Sequence, residues 1–272
     1  MKPMKIEKNS ISKGPVAMQT GLWAFCLAIG LMIFDTRLAA FPLAGFVLIC
    51  LGAPFFPGFG FFAPIINRGT GGFKTIALTF DDGPDPLTTP LLLDLLEKRK
   101  VKATFFVIGE KAVAHPELIE SIIQNGHLLG NHSFRHSTGV FFRKVSAVVK
   151  DMAATQDVLR NHGVQPLVYR PPVGIVSPRL WPALKKTGLT LVTFSNRPLD
   201  GGNRRLSNLA NKVLQRLQDG DIVLLHDTRP PDKEKISLWL HEVEAVVDGI
   251  EARGMQVVPL PDLIGIKVMD RL

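Results

Sequence analysis

The stretch KTIALTFDDGPD, residues 74–85, decides how the rest of the chain is read. Lys74–Phe80 is a β-rich apolar run, and it breaks on two carboxylates, Asp81 and Asp82, followed by the turn signal Gly83-Pro84. The same pattern recurs downstream. Strand-like runs at Ala103–Ile108, Leu167–Tyr169, Leu189–Phe194, Asp221–Leu225 and Gln256–Pro259, with a short His127–Gly130, alternate with helical segments. The helical segments are Pro90–Lys100, Glu117–Gln124, Val145–Asn161, Pro178–Lys186, Leu206–Leu217 and Ser237–Arg253. Near-continuously apolar strands separated by helices predict a parallel sheet, and about seven such units predict an α/β barrel. Chemistry in a barrel sits at the C-terminal ends of the strands, so the residues that follow each strand are the ones to search.

Upstream the composition changes. Over 272 residues the chain is 46% hydrophobic and 21% charged, with mean hydropathy +0.19, and the excess is local. Residues 16–34 and 38–56 hold no charged residue, and only Asp35, Thr36 and Arg37 separate them. Each span approaches the roughly 20 residues that a helix needs to cross a bilayer. The expectation is a transmembrane helical hairpin over residues 1–68, followed by a catalytic domain over 69–272. A buried hairpin of a soluble fold and a cleaved signal peptide are the competing readings; the first apolar run is longer than a signal h-region, and a second follows at once. The Phe-rich stretch Gly52–Pro64 is expected against the membrane interface. Of the net charge of +8, residues 1–68 carry +4 (six Lys/Arg, two Asp/Glu) and the rest carries +4 (26 against 22). That distribution points to anionic lipid, with no nucleic acid among the expected partners. Both cysteines, Cys26 and Cys50, fall in the apolar spans, so the downstream domain has neither a thiolate nucleophile nor a cysteine metal site.

At the strand ends, DDGP taken alone reads as a solvated turn. His132 and His136 are four apart, a spacing that would put both imidazoles on one side of a helical turn and onto one ion. Arg170, Asp200 and His226 follow later strands. Two histidines and a carboxylate leave open positions on a metal, as a hydrolytic site requires. A phosphoesterase also fits such a set but normally adds carboxylates bridging a second ion.

Thr79-Phe80-Asp81-Asp82-Gly83-Pro84, His132-Ser133-x-x-His136, Arg170-Pro171-Pro172 and Leu224-Leu225-His226 occur in the order of the sequential motifs of the NodB-type polysaccharide deacetylases, carbohydrate esterase family 4. The resemblance covers roughly residues 74–260. It implies a distorted (β/α)7 barrel, one divalent metal ion (Zn2+ first, with Co2+, Ni2+ or Mn2+ as alternatives) and hydrolysis of N-acetyl groups on amino-sugar glycans. It also implies that Asp81 is the base, that Asp82, His132 and His136 hold the metal, and that His226 is the acid. By the same resemblance Val173 offers its N–H to the oxyanion and Leu224 lines the acyl pocket. Asp200 is expected to raise the pKa of His226, and Arg170 to orient Asp81. Two departures stand out: Val173 replaces an aromatic, and Gly201-Gly202 replaces the tryptophan that usually follows Asp200. The second opens one side of the sugar groove and favours a short glycan head.

The leading expectation is an N-deacetylase, or deformylase, acting on a cell-envelope or lipid-linked glycan in a bacterial-type membrane. The alternative is a catalytically inactive, membrane-tethered glycan-binding protein of the same fold. Lys2, Lys5, Lys8 and Lys13 favour a cytoplasmic N-terminus, and a two-span hairpin then returns the barrel to that side. Family habit is extracytoplasmic; the charge asymmetry is given the greater weight. His115, His162 and His241 read as solvated and His127 as structural. Arg204 and Arg205 read as part of a solvated loop, with a substrate phosphate as the alternative partner.

Overall fold

The computed structural model describes residues 14–56, 58–137, 139 and 143–272; Lys2, Lys5, Lys8 and Lys13 lie outside them. Its centre is a seven-stranded parallel sheet in the order β6 (Thr190–Leu191), β5 (Val168–Tyr169), β3 (Leu128–Asn131), β2 (Thr104–Val107), β1 (Thr75–Gly83), β7 (Ile222–His226). The seventh strand, β8 (Gln256–Val257), pairs with the first two residues of β1. The sheet curls into an incomplete barrel. Between β6 and β7 the link is the extended chain after β6, where Asn196 bridges Val223 and the Ser195 N–H donates to the Ile222 carbonyl at 3.1 Å.

Both faces of the central strands are covered, which is why they read as continuous apolar runs. Side chains still alternate. Ile76, Leu78 and Phe80 of β1, Phe105 and Val107 of β2, and Val223 and Leu225 of β7 join the outer core under the helices α3 (Thr89–Lys98), α5 (Pro116–Gln124) and α9 (Ile236–Glu251). Ala77, Phe106, Ile222 and Leu224 fill the interior. Parity alone therefore sends Asp81 and His226 inward at the C-terminal mouth. Parity would send Asp82 outward, but the register shifts between Asp81 and Gly83, and Asp82 takes φ +72°. The bulge turns its carboxylate back to the mouth.

Several elements went unread from the sequence. A short α4 (Gly109–Ala114) precedes α5, and an antiparallel pair, β4 (Val164–Pro166) with β9 (Met269–Arg271), closes the far end. The helix α6 (Val145–Arg160) runs as expected, while α7 (Leu180–Thr187) and α8 (Leu209–Leu214) are shorter than their patterns, and α10 (Leu260–Ile264) was not foreseen.

The apolar N-terminal spans form α1 (Val16–Met32) and α2 (Ala40–Gly52), with Gly21 of one against the Phe46 ring of the other. Between them Asp35 accepts from the Arg37 N–H at 2.8 Å and starts a 3-10 turn, so the first helix stops two residues short of its apolar run. The Phe-rich stretch divides in two by burial. Phe55, Phe56 and Phe59 are 69%, 65% and 54% exposed, whereas Phe61 and Phe62 are 3% and 6% exposed and pack with Met152, Tyr169, Leu184 and Leu191. Ile66 then bridges Val192, and the Gly69 N–H donates to Gly220. Phe61, Phe62 and Ala63 thus pack into the same core as Tyr169 and Leu191, ahead of residue 69. A chain truncated to begin at Gly71 is accordingly expected to melt far below one beginning at Gly58. Two buried Phe side chains are together worth roughly 5 kcal/mol, a large share of a typical domain's stability. Equal urea midpoints for the two truncations would refute this.

Candidate active site

Three ligand-type atoms converge at the mouth. Asp82 Oδ1 stands 3.3 Å from His132 Nε2 and 3.0 Å from His136 Nε2, and the ligating atoms of the three residues lie within 4.8 Å of one another. The histidines do not sit on a helical turn as the spacing suggested. They occupy a loop in which Ser133 and His136 take φ +70° and +49°, and Asn131 Oδ1 and Ser133 Oγ accept the loop's own N–H groups. His132 Nδ1 is 2.8 Å from the Arg170 carbonyl. A carbonyl only accepts, so Nδ1 carries the proton and Nε2 turns a lone pair on Asp82. Buried Asp82 Oδ1 has no hydrogen-bond donor. A carboxylate oxygen and imidazole lone pairs converging without a proton between them repel one another unless a cation sits among them, and the set suits a divalent ion. Burial alone pushes the Asp82 carboxyl up; only as proton-bearing donors do His132 and His136 outweigh it and hold it well below the usual carboxylate range, a part that a bound cation would take over.

Asp81 faces the same space from the next residue. Its Oδ1 accepts from the Arg170 guanidinium at 2.7 Å, leaving Oδ2 3.9 Å from His132 Nε2. Arg170 is fully buried. It spends its other donors on Thr79 Oγ1 (2.8 Å) and the carbonyls of Val192 (3.3 Å) and Thr193 (2.8 Å), and its plane lies 3.9 Å over Phe106. The side chain is a fixed strut across the barrel interior, tying the end of β1 to β5 and β6. Across the mouth, His226 Nδ1 is 2.9 Å from Asp200 Oδ2. Burial lowers the His226 pKa, but the Asp200 hydrogen bond and charge, with smaller help from Asp82 and Asp81, leave it raised overall. Asp200 is shifted down: burial works against this, and His226 prevails.

All of these groups except Arg170, which braces the site from behind, line one cavity of about 690 Å³. Leu224 lies in its wall, 3% exposed. Val173 sits on its rim in a 3-10 turn at φ +52°, half its surface open to solvent. Asp82, Ser133, His136, Val173, Leu199 and Asn203 are all non-glycine residues with positive φ in or beside this mouth. Such backbone costs roughly 1–3 kcal/mol each and clusters where function over-determines it.

Two residues here were missed by sequence reasoning. Asn203 donates its backbone N–H to Asp200 (3.1 Å) and its side-chain amide to the carbonyls of His226 (3.0 Å) and Thr228 (2.6 Å), locking the Asp200 loop to the end of β7. Asp227, fully buried behind His226, accepts from Thr88 Oγ1 (2.9 Å) and Thr89 Oγ1 (2.6 Å), and a Cβ at Gly83 would stand 2.5 Å from its Oδ2. Gly83 is thus the residue that lets the bulge close on this carboxyl. The pair His226-Asp227 was the available signal, but nothing local tells a buried carboxyl from a solvated one. Burial, then the charge of Asp85, push Asp227 up to about 7, against the two threonine hydrogen bonds. The folded state therefore holds this proton between the unfolded value near 4 and about 7, so Asp227 costs stability increasingly as pH rises through that window. Asp227→Asn should be better tolerated, relative to the native chain, at pH 8 than at pH 5. Urea midpoints at the two pH values check this; a stability difference independent of pH refutes it.

This arrangement has known counterparts. The polysaccharide deacetylase family matches residues 68–192, a span that contains the Asp82 cluster, Asp81 and Arg170. The chitooligosaccharide deacetylase of Bradyrhizobium sp. (strain ANU 289) is 34% identical over 213 residues, 74% of this chain and 96% of that protein. The peptidoglycan-N-acetylglucosamine deacetylase of Bacillus cereus is 36% identical over 159 residues, 57% of this chain and 73% of that protein. Among solved structures, the Bc1960 peptidoglycan N-acetylglucosamine deacetylase superposes with a TM-score of 0.67 at 27% identity, covering 75% of this chain and 94% of that one. With a relative at this identity matched over nearly its whole length and the same barrel beneath, the chain belongs to the polysaccharide deacetylase family, the NodB-type carbohydrate esterase family 4.

Proposed function

We propose that the chain is a metal-dependent hydrolase that removes an N-acyl group, acetyl or formyl, from an amino sugar of a cell-envelope or lipid-linked glycan, working at a membrane surface. Its main support is the convergence in one cavity of three separate devices: the Asp82–His132–His136 cluster, the Asp81–Arg170 pair and the His226–Asp200 pair.

Asp82, His132 and His136 would hold a divalent ion, Zn2+ first, which supplies Lewis acidity and makes a water acidic enough to lose its proton near neutral pH. The chain's own residues do the rest. Asp81, with Oδ1 pinned by Arg170, takes the proton of the attacking water on Oδ2. The Val173 N–H is assigned to the oxyanion and the Leu224 side chain to the acyl methyl. His226, kept cationic by Asp200, gives its Nε2 proton to the departing amine. Release of acetate from an N-acetylated chitooligosaccharide, lost on chelation and restored by Zn2+, is the expected result. Protein with stoichiometric metal that releases none would count against the reading.

The anchor belongs to the same proposal. The helical run Thr36–Phe55 is 20 residues long and 6% buried over its apolar window, while α1 is a shorter apolar helix of 17 residues. Leu22, Trp23, Phe25, Phe41, Leu48 and Leu51 stand more than half exposed along these helices, a surface that suits lipid. Read as a hairpin, the pair returns the barrel to the N-terminal side, which we place in the cytoplasm, facing a lipid-linked precursor. A reporter fused at Leu272 should then be active on the cytoplasmic side only. Tethering raises local substrate concentration, so a chain starting at Gly58 should fall behind the full chain on substrate in vesicles. It should match the full chain on a small soluble substrate.

A further inference from the structure

The charges around the cavity do not pair off. Asp81, Asp82 and Asp200 line it together with Arg197, Arg204, Arg229 and His226. The acids are already committed: Asp81 to Arg170, Asp200 to His226, and Asp82 to the cluster it forms with His132 and His136. Arg229 is engaged too, its Nε donating to Asp85 Oδ2 at 2.8 Å. Arg197 and Arg204 are left over, with no ion pair to any carboxylate among the described residues.

Arg197 is half-buried and lies 5.1 Å from the centroid of the Phe194 ring, on the extended chain that follows β6. Burial lowers its pKa, and Asp200 offsets this only in part. A partly desolvated guanidinium without an acceptor is costly to keep, and its planar fork fits oxyanions. Arg204 is exposed and follows Gly201-Gly202 in the chain by two residues, lining the same cavity. At Gly201 and Gly202 the cavity wall is open. A Cβ at Gly201 would meet nothing within 4 Å, and one at Gly202 would come no closer than 3.7 Å to Asp82 Oδ2. A sugar seated over the Asp82 cluster thus has open space at Gly201-Gly202, in a cavity that also holds two arginines without a carboxylate partner. A neutral glycan offers them only hydroxyl and carbonyl acceptors, whereas an oxyanion would also meet their charge.

Building on the deacylase reading, we propose that Arg197 and Arg204 receive an oxyanion, a phosphate or a carboxylate, carried next to the acylated sugar, so that the substrate is an anionic amino-sugar glycan rather than a neutral polymer. The two residues set specificity and take no part in bond breaking.

The test compares three disaccharides of equal size on the full-length, zinc-loaded protein in detergent: N,N'-diacetylchitobiose, its 1-phosphate, and a disaccharide ending in N-acetylmuramic acid. Calorimetric Kd values and kcat/KM are both measured. At least one anionic disaccharide should bind about tenfold or more tightly than the neutral one at low salt, and the ratio should shrink at 0.5 M salt. Preference for the phosphate or for the carboxylate identifies the oxyanion, and either result supports the proposal. In Arg197→Gln/Arg204→Gln the ratio should fall to about one, while Arg197→Lys/Arg204→Lys should retain part of it. Equal affinity for all three sugars overturns the proposal. So does a preference that survives the double Gln variant, because the anion would then be held at the metal cluster alone. Absence of hydrolysis on every sugar, with zinc bound, would instead sink the deacylase reading and leave the binding ratios to decide the anion site.

Discussion

Asp81→Asn is expected to lower kcat by about 10³-fold with metal content unchanged, whereas Asp82→Asn, His132→Ala and His136→Ala should each empty the metal site. The two aspartates are neighbours in sequence and part company in space. Asp81 follows the inward parity of β1 and gives Oδ1 to Arg170, while the bulge points Asp82 at the two imidazoles. Asparagine at 81 still offers Arg170 an oxygen acceptor, so the strut survives and only the basic oxygen is lost. Arg170→Leu is a different lesion. It leaves the buried Asp81 carboxylate without its cation and should cost about 3–5 kcal/mol of stability, read as a lowered melting temperature before any loss of metal. Elemental analysis beside steady-state kinetics separates these outcomes. If the Asp81 and Asp82 variants lost metal equally, the division of labour between them would be wrong.

His226→Ala should reduce kcat by roughly 10²–10⁴-fold, and Asp200→Asn should reveal why. The charged imidazole is favoured in the folded protein chiefly by Asp200, acting against burial. A group whose pKa is raised keeps its proton to higher pH, so activity that needs the acid form is lost only as pH rises through the raised value. Asn at 200 removes the main support and leaves the burial penalty. The alkaline limb of kcat/KM should therefore move to lower pH, with the acidic limb in place, and kcat at pH 8 should fall more than kcat at pH 6. Asn203 holds Asp200 from behind, so Asn203→Ala should shift the same limb in the same direction by less. An alkaline limb that stays put in Asp200→Asn would remove His226 from the acid's role.

Much of this was open to reading before any coordinates. The alternation of apolar strands and helices implied a parallel barrel, because strands covered on both faces cannot carry a polar side. The motif order brought Asp81, Asp82, His132, His136, Arg170, Asp200 and His226 together as one set, and the structure gathers all seven around one mouth. Two uncharged runs near the N-terminus foretold two apolar helices. Local pattern could go no further, because the remaining facts depend on partners far away in sequence. DDGP reads as a solvated turn until β2 and β7 flank it and leave Asp81 4% exposed. The His132–His136 spacing suggests a helix, yet the Asn131 and Ser133 side chains hold a left-handed loop there. Phe61 and Phe62 look like their neighbours Phe55 and Phe56, and only the packing of Tyr169 and Leu191 decides which pair is buried. Asp227 becomes a carboxyl titrating near 7 only because folding buries it against Gly83 and near Asp85, from about 140 residues earlier in the chain, and the Thr88 and Thr89 hydroxyls offset this only in part. Sequence by itself determined which residue types stand at which strand ends, since periodicity and motif order are local properties. Tertiary structure decided which of them are desolvated, paired or left without a counter-charge, since burial and Coulomb energy are set by groups that the chain brings together only on folding.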